Sequence, residues 1–220
     1  MPYFTKDFFK FFKDLEKNNN REWFNENKKR YEELVKKPFE VFIRDVINVF
    51  AIDDPLITIE PKDAIFRIYR DIRFSPNKAP YKTHAAAVVS RGGRKDFTTP
   101  GMYIELNAKG GRIYSGYYEI EKDNLQAMRE HIAKNLKEFN KFIKGKKFVD
   151  SFGKVHGKQN KRIPPEFKEV FEKQPLIANK QFYYFVELGI NEIFQDDIVD
   201  RVFKLYKIAK PLNNFLFDAI

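Results

Sequence analysis

Met102-Tyr103-Ile104-Glu105-Leu106-Asn107 reads as a strand, Ala108-Lys109-Gly110-Gly111 as a turn, and Ile113 to Ile120 as the strand that returns. A glycine-bearing link of this length between two β-rich runs is a hairpin signal. Upstream, Leu56–Ile59, Ile65–Arg70 and Ala85–Ser90 have the same β character, and Arg91-Gly92-Gly93-Arg94 opens the connection out of the last of them. Strands that follow one another with no helix between them pair antiparallel, because a parallel crossover needs a long intervening segment. The expected fold is therefore α+β, a largely antiparallel sheet flanked by N-terminal and C-terminal helices.

The flanks show helical periodicity. Phe8, Phe11, Phe12 and Leu15 recur at helical spacing behind a Thr5 N-cap until Asn18-Asn19-Asn20 stop the element. Asn20 then caps a helix burying Trp23, Phe24, Tyr31, Leu34 and Val35. Pro38 kinks that helix or starts another, whose stripe is Phe39, Phe42, Ile43, Val46, Ile47 and Phe50. Beyond Ile120, Asp123 caps a helix through Leu125, Met128 and Ile132, with His131 on its surface, and a second runs to Gly145. Glu166–Lys173 reads as a short helix and Gln181–Leu188 as an aromatic strand. A last helix spans about Gln195 to Lys210, and Pro211 ends or kinks it. One domain over 1–220 is the simplest account, with 1–52 helical, 53–120 mainly β, and 121–220 mainly helical with one or two further strands.

Composition narrows the chemistry. The 24 Phe and 11 Tyr supply a proper core, and zero cysteines exclude disulfides, thiolate catalysis and cysteine zinc sites. With only His84, His131 and His156, a histidine-rich metal centre is not expected, and no metal site is assigned. Lys6, Asp7, Lys10 and Lys13 interrupt every apolar run near the start, so no signal peptide is read there, and no run is long enough to span a bilayer. A cytoplasmic protein with no membrane partner is the expectation.

Charge is concentrated in one place. From Pro61 to Lys95 there are nine Lys/Arg against Asp63 and Asp71, whereas residues 1–60 carry eleven basic and twelve acidic side chains. This excess surrounds Ile65-Phe66-Arg67-Ile68-Tyr69-Arg70-Asp71-Ile72-Arg73-Phe74-Ser75-Pro76-Asn77-Lys78-Ala79-Pro80-Tyr81-Lys82-Thr83-His84. The prolines imply a rigid loop after a strand. Clustered guanidinium groups repel one another unless an anion sits among them, and Arg suits bidentate phosphate or carboxylate recognition. Arg67, Arg70, Arg73, Lys78 and Lys82 are the candidate ligand-binding residues. Alternation places Arg67, Asp71 and Arg73 on one face and Arg70 on the other. Asp71 is the orienting group for Arg67 or Arg73, and His84 and Tyr81 are the candidates for proton transfer, His84 because its ordinary pKa lies near 6.5.

Three readings of this stretch stay open. The leading one is a pocket that binds, or turns over, a small phosphorylated or carboxylated anion. The second is a nucleic-acid-binding protein whose 61–95 block forms one basic track with Lys141–Arg162, where eight basic residues face Asp150 alone. The third is a structural ion-pair network with Asp71 fully paired. Other patterns carry less. Glu60-Pro61-Lys62 behind Asp53 and Asp54 faintly resembles a nuclease metal motif, but Pro61 breaks the strand it needs. The two Gly-Gly pairs fit turns and not a phosphate loop. Tyr114, Tyr117 and Tyr118 pack in the core or rim, or stack on a base.

The chain resembles the DUF2461 family over nearly its whole length. Phe66 to Ser75 with Lys78 to His84 carry the likeness most specifically, joined by Phe11-Phe12, Leu15, Asn18-Asn19, Trp23-Phe24, Gly101-Met102-Tyr103-Ile104 and Lys161-Arg162-Ile163-Pro164-Pro165. Pro164-Pro165-Glu166 departs from the family's Pro-Lys-Gly, which removes a lysine there. The resemblance implies one domain and names no reaction.

Overall fold

The structure, a computed structural model, describes residues 2–96 and 98–220. Helix α1, Lys6–Lys17, buries Phe8, Phe9, Phe11, Phe12 and Leu15 on one face. It begins after Thr5 as expected, yet the Thr5 hydroxyl accepts no capping bond. Asn20 does cap α2, Arg21–Glu26, its side-chain oxygen accepting the Trp23 N–H at 2.9 Å. Helix α3, Lys28–Tyr31, runs through a π turn, Glu32–Lys36, into α4, Lys37–Asp53. Pro38 thus sits in the first turn of α4, where proline is tolerated, and the helical run continues into it through the π turn. Its ring nitrogen has no hydrogen to give the preceding turn, and the Lys37 N–H reaches five residues back to the Glu32 carbonyl, so the helix widens instead of breaking. The expected stripe of α4 from Phe39 to Phe50 is buried throughout.

The β region departs from expectation at its start. Leu56–Ile59 is no strand: a turn at Pro55 and Leu56, with the Ile57 N–H on the Asp54 carbonyl at 3.0 Å, leads through irregular backbone into α5, Pro61–Ala64. Ile65–Arg70 is extended but is no regular strand. It pairs only at Ile65 with Ala87 and at Tyr69 with Tyr81. Bonds from Arg70 N–H to Pro80 O and from Lys82 N–H to Ile68 O hold this irregular hairpin at 2.9 and 2.7 Å. Pro80 accepts but cannot donate, so a continuous ladder cannot form.

The regular strands are β1, His84–Val89, β2, Met102–Asn107, β3, Gly110–Tyr117, and β4, Phe182–Gly189. They make one antiparallel sheet in the order β1-β2-β3-β4. Met102, Ile104 and Leu106 of β2 are buried while Tyr103, Glu105 and Asn107 are half-buried, the period-2 signature of a sheet with one covered face. The turn between β2 and β3 is Ala108-Lys109 alone, since β3 already begins at Gly110.

Helices return after β3. Helix α6, Lys122–Lys134, starts behind Glu121 and not Asp123, and α7, Leu136–Ile143, α8, Lys146–Phe152, and α9, Lys168–Lys173, precede β4. After α10, Ile190–Ile193, helix α11 covers Ile198–Phe217, so that Pro211 does not end it. Burial of Leu212, Phe215 and Leu216 beyond the proline offsets its missing donor. The chain is α+β, and no helix among the described residues is long and apolar enough to cross a membrane.

The chain folds into two compact units. The first comprises residues up to Asp96 with Tyr103–Ile113 and Glu187–Phe203. Its core is aromatic, with Phe4, Phe8, Phe11, Phe12, Phe24, Phe39, Phe42 and Phe50 almost wholly excluded from solvent. The second comprises the stretch ending at Met102 with Tyr114–Val186 and Lys204–Ile220. Tyr184 lies at its centre, its hydroxyl donating to Asn213 Oδ1 at 2.7 Å, while Asn213 Nδ2 donates to Ser115 Oγ at 2.9 Å. The buried Arg129 guanidinium donates to the carbonyls of Ile177 and Asn179 at 2.9 and 3.3 Å. The 61–95 basic block belongs to the first unit and 141–162 to the second.

Candidate functional site

The basic stretch divides its labour. Arg70 braces the proline loop, with Nη1 donating to the Ala79 carbonyl at 3.1 Å and Nη2 to Ser75 Oγ at 3.4 Å. Lys78 Nζ donates to the Ile72 carbonyl at 3.0 Å. Arg73 grips Asp71 through Nε at 3.0 Å and Nη2 at 2.6 Å. Those bonds hold the Asp71 carboxyl down to about 2. Both groups are exposed, so the pair adds little to stability. Asp71 therefore orients Arg73, one of the two partners expected for it.

Tyr81 serves as the anchor of the loop. It is 4 % exposed, and its ring stacks on Phe24 with centroids 4.0 Å apart and planes at 16°. Asn19 clamps its backbone, accepting from the Tyr81 N–H and donating to the Tyr81 carbonyl, each at 3.0 Å. The asparagines that stop α1 thus also hold the loop. Burial pushes the Tyr81 hydroxyl pKa above its ordinary value.

Arg67 and Lys82 are the two candidates brought together. Both line a cleft of about 540 Å³ in the first unit, with Lys36, Lys62, Arg94, Lys95, Glu40, Tyr31, Ile65 and Phe66. That volume lies within the range of small-ligand sites. Lys62 is paired with Glu60 at 2.7 Å and Lys36 with Glu32 at 2.9 Å. Arg94 donates to the Lys62 carbonyl. Among the described residues, no carboxylate stands within ion-pair distance of Arg67 or Lys82. Lys82 Nζ lies 4.9 Å over the Phe66 ring. Burial first, and the Arg67 charge second, push the Lys82 ammonium pKa down. Two cations without an ion-pair partner, one of them partly withdrawn from water, raise the free energy of the empty cleft and lower that of an anion within it.

Sequence reasoning did not assign Lys36, Lys62, Arg94 or Lys95 to this cleft. Lys62, Arg94 and Lys95 were inside the local charge excess, whereas Lys36 arrives from the π turn and had no local signal.

His84 opens β1 and lines a different cleft of about 390 Å³, whose wall includes Thr83, Glu105, Asn107, Lys109, Arg112 and Glu187. Its Nε2 lies 3.9 Å from Glu105 Oε2. Tyr103 Oη donates to that same Glu105 oxygen at 3.1 Å, and Asn107 Nδ2 to the other at 3.4 Å, so three alternate residues of β2 form one polar ladder. Glu105 was missed in the sequence. The signal was its register beside Tyr103 and Asn107, readable only once β1 was known to be its neighbour. A small cavity of about 20 Å³ is lined by Tyr31, Lys36 and Phe66 of the cationic cleft and by His84 of this one.

Burial, aided by the Lys82 charge and opposed by Glu105, pushes the His84 pKa below 6.5. Replacing Glu105→Gln removes the opposing charge, so an NMR titration should show the His84 pKa fall further, by about one pH unit. An unchanged or raised value would mean the carboxylate does not act on the ring. The linkage has one sign: a depressed folded-state value stabilises the fold fully above about 6.5, and this contribution declines as pH falls below that value.

Among the described residues, no three side chains of the metal-ligating types converge on a point. Glu60, Pro61 and Lys62 start a helix, with the Glu60 N–H donating to Asp63 Oδ2 at 3.1 Å, and so do not present a nuclease triplet.

Fold and site together define an α+β protein whose four-stranded antiparallel sheet is joined by an irregular, proline-set hairpin to a cationic cleft. The chain belongs to the DUF2461 family of conserved hypothetical proteins, whose family model matches residues 7–215. Neither the curated proteins nor the solved structures contain a match to it.

Proposed function

We propose that the protein binds a small phosphorylated or carboxylated anion in the cleft between Arg67 and Lys82. The observation that carries this reading is that these two cations line one cleft and, among the described residues, have no carboxylate within ion-pair distance, whereas Arg70 and Lys78 bond carbonyls of the loop and Arg73 bonds Asp71. Tyr31 and Phe66 supply an apolar wall against which the rest of a ligand packs. Tyr81, buried and stacked, has no place in this proposal beyond anchoring. His84, with its Glu105 partner in the other cleft, is the proposed group for proton exchange.

The test is thermal stability against inorganic phosphate, pyrophosphate and citrate, each titrated to saturation. A ligand at one hundred times its Kd stabilises the native state by about 2.7 kcal/mol, and the melting temperature should rise saturably with at least one of the three. Arg67→Ala with Lys82→Ala should abolish the response, while Arg73→Ala, which breaks only an exposed pair, should keep it. Equal loss in both variants, or no response from the native chain, would overturn the proposal.

A further inference from the structure

The second unit carries a group of aromatic rings that packing of a core does not require. Along β3, Ser115 and Tyr117 are buried and Tyr114 is half-buried; along β4, Phe182 and Tyr184 are buried while Tyr183 and Phe185 are half-buried. Tyr114, Tyr183 and Phe185 therefore share the outer face of the sheet. Tyr114 lies 5.1 Å from Phe185, centroid to centroid. Tyr118, just past β3 and 61 % exposed, meets Tyr183 edge-on at 5.4 Å.

The segment that follows α8 completes this face. His156 and Tyr183 are an antiparallel pair, their N–H and carbonyl groups bonding reciprocally at 2.6 and 3.2 Å, and Gln159 pairs with Asn179. Residues 154–159 thus run beside β4 as an irregular extra strand. Val155 turns inward and is buried, while Lys154 and Lys158 are exposed and His156 is half-buried. Lys154 and Lys158 flank His156 in the chain, two residues away on either side. The His156 ring stacks on Tyr183 at 5.7 Å and 24°, and lies 5.0 Å from Phe185. Burial, with the Lys154 charge adding to it, pushes the His156 pKa down and so favours a neutral, stackable ring.

Rings for flat faces and flanking ammonium groups for phosphates are the two parts of a single-strand-binding surface. Lys154 and Lys158 also belong to the 141–162 stretch, where eight basic side chains face one acidic one. Glu119 and Glu121 follow Tyr118 in the chain, so the lysine-bearing segment marks the side on which phosphates run. We infer that the outer face formed by Tyr114, Tyr118, His156, Tyr183 and Phe185, flanked by Lys154 and Lys158, binds single-stranded nucleic acid by stacking bases on the rings. This surface uses none of the residues of the Arg67/Lys82 cleft, so it stands or falls independently of the small-anion proposal.

The experiment is fluorescence anisotropy with a 5′-fluorescein-labelled dT12 strand, a duplex of equal length and unlabelled inorganic polyphosphate as competitor. The native chain should bind dT12 saturably and more tightly than duplex, with affinity falling as salt rises. Tyr118→Ala, which removes an exposed ring and leaves the core untouched, should weaken binding about ten-fold. Lys154→Ala with Lys158→Ala should flatten the slope of log affinity against log salt by about 1.4, which is about 0.7 for each phosphate deprived of its ammonium partner. Absence of saturable binding, equal affinity for duplex, polyphosphate competing as well as unlabelled dT12, or indifference to Tyr118→Ala would each overturn the inference.

Discussion

Phe11→Ala is expected to cost about 3–5 kcal/mol of unfolding free energy, the range for truncating a fully enclosed aromatic side chain. Phe11 has 0 % exposure, and its ring lies 5.7 Å from those of Phe12, Trp23 and Tyr31 and 6.5 Å from that of Phe24, centroid to centroid. The Arg30 guanidinium sits 5.5 Å over the same ring. No neighbour can collapse into the void without vacating its own place in the cluster. Tyr31 lines the cationic cleft and Phe24 is the surface on which Tyr81 stacks, so the same substitution should loosen the motif from beneath. Urea denaturation measures the effect, and Phe74→Ala is the control. Phe74 is 94 % exposed, and its loss should fall within about 0.5 kcal/mol of zero. A cost below about 1.5 kcal/mol for Phe11→Ala, half the lower bound for such truncations, would show that this aromatic cluster repacks freely.

Gly116→Ala should be comparably severe, for a backbone reason. Gly116 has φ +93° near the end of β3, and a Cβ there would lie 2.2 Å from the Phe182 carbonyl oxygen and 3.1 Å from Tyr183 Cα. Backbone strain of this kind costs about 1–3 kcal/mol by itself. The clash adds to it, because the obstacle is the backbone of β4 and not a side chain that can swing away. We expect a loss of at least about 3 kcal/mol, read as a lower urea midpoint together with faster amide exchange along β3 and β4. Gly153→Ala separates the two causes. Gly153 has φ +72° and ψ −74°, and apart from its own chain neighbours nothing lies within 4 Å of the added carbon, so its substitution carries strain alone and should cost about 1–3 kcal/mol. Equal costs at the two positions would mean that close approach of the strands contributes nothing.

Much of the architecture follows from local pattern. The phenylalanine stripes of α1 and α4 repeat at the helical period over three or more turns, and burial of one face is then the only stable outcome. The β2–β3 hairpin and β4 are likewise short-range matters, set by a turn or by an aromatic run of strand length. Expectation failed where a long-range partner or an opposing element outweighed the local signal. Ile65–Arg70 has strand composition, but the chain opposite it contains Pro80 and leads from the turn around Pro76, so pairing survives only at isolated positions. Pro211 is a helix breaker by itself and is carried inside α11 by the apolar residues that follow it.

The same division runs through the site. Sequence alone determined that the molecule is α+β, that it belongs with the relatives its Arg70-Asp71 to His84 motif resembles, and that its excess positive charge gathers between Pro61 and Lys95. These are properties of composition, period and order along the chain. Which of those charges is available to a ligand was decided by tertiary structure. Arg70, Arg73 and Lys78 found carbonyl or carboxylate partners within ten residues, Tyr81 found Phe24 and Asn19, and Arg67 and Lys82 were left lining a cleft with Lys36 and Arg94. Charge is written in the residue, but its neutralisation depends on which groups come within a few ångströms, and whether these are near in sequence, as Asp71 is to Arg73, or distant is decided by the way the chain folds.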